Sequence, residues 1–221
     1  MQINKMIVPD FRGNHPNMNL TRVAYITIHE TGNYNQTATA RNHAIYQYNG
    51  SGGLQKSWHY TVDSDSIYQS FEDIRRCWHA GDGNNGPGNA SSIGIEICVN
   101  SREGFRQACK NAAWLTSELL HTYGLDVVNV VQHNIWSGKN CPELLRSGRW
   151  GITWHNFLDM VRDWLREKRQ QSVVLFIIDD ETELIRGEIR NGVTFVEARH
   201  LLETMGYSVD WNDMMKAVIV T

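Results

Sequence analysis

The 221-residue chain has room for one full-size domain with an appendage, or for one large domain, and carries a formal net charge of −3. That balance argues against a polyanion partner such as nucleic acid, and no stretch approaches the roughly 20 apolar residues of a membrane-spanning helix. Four cysteines stand at 77, 98, 109 and 141 without a CxxC pair, so they are expected as buried thiols or as metal-binding or catalytic groups. The stretch Met1–Arg12 has no apolar segment and no small-residue cleavage site. We therefore expect a product made in the cytoplasm without a signal peptide.

In chain order, Val23–His29 alternates β-branched and polar residues before a turn at Thr31-Gly32-Asn33, which predicts a strand that delivers His29 at its end. Ala38–Tyr48 reads as a helix broken by Gly50-Ser51-Gly52-Gly53, and Ser57–Val62 with Ser66–Ser70 as a hairpin across Asp63-Ser64-Asp65. Gly81–Gly88 is a glycine-rich loop without the Lys-Ser/Thr ending of a phosphate-binding loop and without a following helical pattern, so nucleotide binding is rejected. Ile93–Val99 is a short strand with one charge, Glu96, in its centre. Phe105, Ala108, Cys109, Ala112, Leu115, Leu119 and Tyr123 recur at helical spacing, with Gly124 as a C-terminal cap. Val127–Gln132 is a strand ending at His133, and Trp154–Leu165 marks a closing amphipathic helix.

Past Lys168 the character changes. Arg169-Gln170-Gln171-Ser172 is polar and linker-like, and residues 169–221 hold five basic and nine acidic side chains. The expected domains are 1–168 and 169–221. The tail pattern predicts a strand at Val173–Ile178, hairpin strands around Asn191-Gly192, a helix from Thr194 to Met205, and strands near Tyr207–Trp211 and Ala217–Val220.

His29, His133 and Cys141 all fall where strands end or loops begin. Zinc takes nitrogen and sulfur donors, and a catalytic site keeps three protein ligands and one open position. The three residues are too far apart in sequence for spacing alone to establish such a site. Glu96 either points from an apolar strand into water or acts as a general base. Lys139 is either a solvated charge or a group beside a developing oxyanion.

The runs Ile26-Thr27-Ile28-His29-Glu30-Thr31, Trp58-His59-Tyr60-Thr61-Val62-Asp63, Trp78-His79-Ala80-Gly81, Ser92-Ile93-Gly94-Ile95-Glu96, Gln132-His133 and Lys139-Asn140-Cys141-Pro142 resemble the type 2 N-acetylmuramoyl-L-alanine amidases over about residues 1–168. The resemblance implies an α/β fold, with a central mixed β-sheet flanked by helices, and a small α+β appendage at the C-terminus. It implies one Zn2+ held by His29, His133 and Cys141, with Glu96 as base and Lys139 at the oxyanion. The substrate implied is the muramoyl–L-alanine amide of bacterial peptidoglycan, and the missing signal peptide tilts the reading toward a phage or prophage endolysin released through membrane pores.

His79 and Trp58 are expected to border the substrate, Trp58 standing where some relatives carry a catalytic tyrosine. His59 is expected either to pack against Trp58 or to hydrogen-bond behind a ligand and orient it. Two other readings stay open, a non-catalytic peptidoglycan receptor and a cysteine hydrolase using Cys141 and His133. Asn191–Arg199 with Met205–Trp211 resembles one repeat of the copper-amine-oxidase N-terminal-like module, so the tail is expected to bind the wall or to pair two chains as a homodimer.

Overall fold

The computed structural model describes the backbone of residues 1–171, 173–178, 181–190, 193–196, 198–212 and 217–220, and the side chains of residues 1–169 and 201–210. By its contacts the chain divides into two compact units, Met1–Leu165 and Arg166–Thr221.

The first unit runs β1 (Ile3–Lys5), β2 (Tyr25–Glu30), α1 (Ala40–Tyr48), β3 (Tyr60–Val62), β4 (Ile67–Gln69), α2 (Pro87–Ser91), β5 (Ser92–Ile97), α3 (Arg102–Tyr123), β6 (Val130–Gln132), α4 (Asn134–Ser137), α5 (Glu143–Ser147) and α6 (Trp154–Gln171). Six strands form one sheet in the order β1-β4-β3-β5-β2-β6. The β3–β4 hairpin is antiparallel, and every other neighbouring pair is parallel. The sheet is therefore mixed, as expected, with the helices flanking it.

Strand alternation decides what each face of this sheet does. Ile26 and Ile28 of β2, Tyr60 and Val62 of β3 and Ile93, Ile95 and Ile97 of β5 enter one core, together with Phe105, Ala112, Leu115 and Leu119 of α3 and Phe157, Val161 and Leu165 of α6. Residues of the opposite parity, Thr27, His29, Thr61, Ser92, Gly94 and Glu96, are left for the other face. The parallel registers bring those residues side by side, with Thr27 beside Gly94, His29 beside Glu96, and Thr61 beside Glu96.

Helix ends follow local chemistry. Ser101 caps α3 by accepting the Gly104 N–H at 3.0 Å, and Gly124 closes it in the left-handed region at φ 64°, a conformation that suits a residue without Cβ. Asp63 ties three elements together. One of its carboxylate oxygens accepts the Ala40 N–H at the start of α1 at 2.7 Å, and the other accepts the Asp65 and Ser66 N–H groups of the β3–β4 turn at 2.9 and 2.7 Å. Its carbonyl accepts the Asn111 side-chain amide of α3 at 2.9 Å.

Three expectations for residues up to 171 need correction. A short helix, α2, does follow the glycine loop; five residues are too few to show a helical period. The strand expected over Val127–Gln132 opens as a 3-10 turn at Val127–Asn129, because Asp126 and Asn129 form a reciprocal capping box there. The polar Arg169–Gln171 stretch is helical, continuing α6, since an exposed helix end and a linker share the same composition.

The second unit holds β7 (Val173–Ile178), β8 (Glu181–Arg190) and β9 (Val193–Val196) as an antiparallel sheet, then α7 (Ala198–Thr204), then an antiparallel pair of β10 (Val209–Asn212) and β11 (Ala217–Val220). The helix expected from Thr194 begins at Ala198 instead. Val193–Val196 pairs with Gly187–Arg190, in keeping with the strand preference of its β-branched and aromatic residues. The Asn191-Gly192 turn and Ser172 lie outside the described residues.

Replacing Asp63 with alanine strands buried donors from α1 and the hairpin turn. We expect a loss of stability on the order of 3–5 kcal/mol by urea unfolding, and a clearly smaller loss for Asp63→Asn, which keeps one acceptor.

Candidate metal centre and catalytic cleft

His29 reaches the site from the last turn of pleat in β2, on the face away from the core. His133 follows β6 directly, with its N–H donating to the Ile28 carbonyl at 3.2 Å, so the backbone of β2 places both histidines. Cys141 comes from the loop after α4. That loop is held by Asn134, whose N–H donates to the Cys141 carbonyl at 3.0 Å and whose side-chain amide donates to the Lys139 carbonyl at 2.9 Å. One donor atom from each of His29, His133 and Cys141 lies within 4.8 Å of the others, and all three residues are buried.

The protonation pattern of the histidines tests whether a cation fits. His133 Nε2 lies 3.0 Å from the Ala80 carbonyl oxygen, and a carbonyl only accepts, so the proton sits on Nε2 and Nδ1 keeps its lone pair. His79 Nε2 faces the Ser92 carbonyl at 3.4 Å, and His79 Nδ1 stands 3.0 Å from His29 Nε2. With the His79 proton on Nε2, its Nδ1 accepts from His29 Nε2–H and His29 Nδ1 keeps its lone pair, which is the tautomer in which both His29 and His133 offer Nδ1 to a cation. The two Nδ1 atoms face each other at 2.9 Å. Burial lowers the proton affinity of all three rings, His29 and His79 well below the ordinary histidine value, which favours the neutral, metal-binding form of each.

Cys141 adds the softer donor. Burial first, then the Glu96 charge, pushes its thiol up to about 12. A coordinated cation reverses that balance by favouring the thiolate. Two nitrogens and one sulfur are the donor set of a catalytic zinc site with an open position.

His79 does not face an open cleft. Both ring nitrogens are engaged by protein groups, and the ring lies over Gly94, where a Cβ would come within 2.9 Å of it. The glycine of the Gly-Ile-Glu strand is thus the space in which His79 sits. Its position is that of a group orienting His29 from behind. His59, expected in that role, bridges two backbones instead: its Nε2–H donates to the Arg75 carbonyl at 2.7 Å and its Nδ1 accepts the Gly94 N–H at 2.9 Å.

Glu96 opens on a cleft of about 390 Å³ beside the metal-ligand cluster, walled in part by Trp58, His43, Lys56, Asn42 and Thr31. Its Oε2 is shielded from water and has no hydrogen-bond partner. Burial raises the Glu96 carboxyl to about 7, opposed by the positive charges of Lys56 and then Lys139. Trp58 forms a buried wall of this cleft, and its indole N–H donates to Thr61 Oγ1 at 2.7 Å. Lys139 lies near enough for its charge to lower the proton affinity of His29, His133 and Cys141. The other cysteines, 77, 98 and 109, are free and buried.

Glu30 was not singled out from the sequence. Its carboxylate accepts the Leu144 and Leu145 N–H groups at the start of α5 at 2.7 and 2.9 Å, and its own N–H points to Cys141 Sγ at 3.5 Å. It ties the His29 strand to the Cys141 loop. The signal was present in the pattern: Glu30 shares the parity of Ile26 and Ile28, and a carboxylate facing the core side needs donors.

This fold gathers two histidines and a cysteine at the strand ends beside a partly buried glutamate, a donor set able to hold a metal ion. The family model described as N-acetylmuramoyl-L-alanine amidase matches residues 19–144, and the chain belongs to that family. It is 41% identical over 157 residues to N-acetylmuramoyl-L-alanine amidase CwlH of Bacillus subtilis (strain 168), covering 71% of this chain and 60% of the relative. It is 43% identical over 150 residues to XlyA of the same organism, covering 68% of this chain and 48% of that one, so the chain spans only about half to three fifths of these relatives. The solved catalytic domain of XlyA superposes with a TM-score of 0.66 at 41% identity, over 73% of this chain and 99% of that domain. The family match stops short of the tail and gives its resemblance to a copper-amine-oxidase-like repeat no support.

Zinc titration of metal-free protein should give one equivalent bound per chain, with Cys141→Ser weakened at least tenfold. His79→Leu, which strands the His29 Nε2–H, should weaken binding about 10–100-fold. Competition with a chelating dye measures both, and a Cys141→Ser affinity equal to wild type would remove Cys141 from the ligand set.

Proposed function

We propose that the chain is a zinc-dependent N-acetylmuramoyl-L-alanine amidase that cuts the amide between the lactyl carboxyl of muramic acid and the amino group of L-alanine in peptidoglycan, acting as a phage or prophage endolysin. The observation that carries the reading is the pair of facing Nδ1 atoms of His29 and His133 next to the Cys141 thiol, with the unpartnered Glu96 Oε2 on the neighbouring strand.

His29, His133 and Cys141 would hold the zinc, whose chemistry in such a site is Lewis acidity toward the scissile carbonyl. Glu96 does the proton work. With a carboxyl near 7, it takes a proton from the attacking water at neutral pH and returns it to the departing alanine nitrogen. Lys139 brings positive charge to the oxyanion side. Trp58 and the amide and hydroxyl groups of the cleft wall hold the peptide and exclude water. The cysteine-hydrolase reading is disfavoured by a thiol held near 12, since the nucleophile would have to be a thiolate. The receptor reading is disfavoured by a complete donor set.

For the tail, pairing of two chains or attachment to the wall remains our proposal, resting on the acidic composition and apolar strands of residues 169–221. Sedimentation of the full chain tests pairing.

Glu96→Gln should keep zinc and fold yet lose turnover by on the order of 10²-fold or more, because the carboxamide cannot accept the water proton. A mutant that digests walls at the wild-type rate would sink this role. Walls digested by the native protein should gain free L-alanine amino groups and no new reducing sugar ends. New reducing ends would instead mean glycosidase chemistry.

A further inference from the structure

The cleft that presents Glu96 contains a second charge with no part in the proton transfer. Lys56 sits in the loop before β3, and its Nζ stands 5.5 Å from the centroid of the Trp58 ring. Trp58 is held at its backbone by the Gln47 side chain, which accepts its N–H at 2.9 Å, and at its ring by Thr61, which accepts the indole N–H at 2.7 Å. A cation over an aromatic face is attracted by the ring's negative π-face, which gives a lysine head a preferred position.

Among the described residues, Lys56 forms no ion pair with a carboxylate. Its charge still reaches Glu96, His29 and His43, lowering the proton affinity of each. The remaining polar wall of the cleft is neutral, made of amides such as Asn33, Asn35 and Asn42 and the hydroxyls of Thr31 and Thr37. These groups suit peptide amides and sugar hydroxyls. An unpaired ammonium among them has a different best partner, an anion.

We propose that Lys56 is a specificity-determining residue that receives a free carboxylate of the peptide stem, close to the scissile amide. This rests on the amidase reading, since it assumes a muramoyl-peptide in the cleft. Separation of Lys56 from Glu96 is what makes both roles compatible. A direct ion pair between them would lock the base in its charged form and consume the ammonium; without that pair, Glu96 remains free to accept a proton and Lys56 to accept the stem.

The test uses the zinc-loaded full chain and two soluble muramoyl-peptides that differ at one group, a free carboxylate on the residue after L-alanine or its carboxamide. Wild type should prefer the acid by about tenfold in kcat/KM, mostly through KM, and the preference should shrink in high salt as the contact is screened. Lys56→Met should bring the ratio of the two substrates close to one, Lys56→Arg should keep the preference for the acid, and Lys56→Glu should reverse it. Removing Lys56 also changes the field at Glu96, but that change is common to both substrates and cancels in the ratio. Equal cleavage of acid and amide by wild type, or a wild-type ratio in Lys56→Met, overturns the proposal and leaves the amidase reading standing. Cleavage of neither peptide overturns the amidase reading, and the Lys56 proposal with it.

Discussion

Two imidazole Nδ1 atoms, 2.9 Å apart in a buried site, are a constraint that the rest of the molecule is built to hold. Each ring is pinned from its far side, His133 by the Ala80 carbonyl and His29 by His79, which in turn faces Ser92. The chain of donors fixes which nitrogen of each ring faces inward, and the sheet fixes where the rings stand. β2 contributes His29 directly and receives His133 through the Ile28 carbonyl, while Glu30, the last residue of β2, fastens the Cys141 loop through the start of α5. A single strand thereby positions all three donors.

The parallel register does the same for Glu96. β5 lies against β2 with Glu96 opposite His29, so their side chains share the face of the sheet away from the core. Neighbouring strands stand about 4.8 Å apart, which brings the carboxylate beside the cluster of His29, His133 and Cys141. Burial then keeps its proton affinity near neutrality. The core on the other face, with Ile26, Ile28, Ile93, Ile95 and Ile97 under α3 and α6, keeps this register from slipping, because a shift of one residue would put Glu96 into the hydrocarbon layer.

The main strands and the long helices were legible because their periods are long enough to read. Ile93-Gly94-Ile95-Glu96-Ile97 alternates cleanly, and α3 shows seven apolar positions at helical spacing. The short helices α2, α4 and α5 were not legible, since four or five residues carry no period. His29 and His133, which the structure brings together at strand ends, lie in motifs that can be read locally, whereas residues whose contacts depend on a distant partner do not. His79 looked like a cleft residue until its ring was found packed on Gly94, fifteen residues along the chain, with Nδ1 toward His29. Glu30 serves backbone donors more than a hundred residues away, and nothing local announces that. Lys56 carries no local mark in the sequence; its setting comes from Trp58 beside it and from the neutral wall around it.

The account stands or falls on the donor set, and X-ray absorption at the zinc edge of the zinc-loaded full chain reads that set directly. It predicts a first shell with two nitrogens at about 2.0–2.1 Å and one sulfur at about 2.3 Å, the remaining scatterer being a light atom. In Cys141→Ser the sulfur contribution should vanish. A wild-type spectrum fitted by nitrogen and oxygen alone, or a sulfur shell that survives the Cys141 substitution, would contradict the site described for this protein.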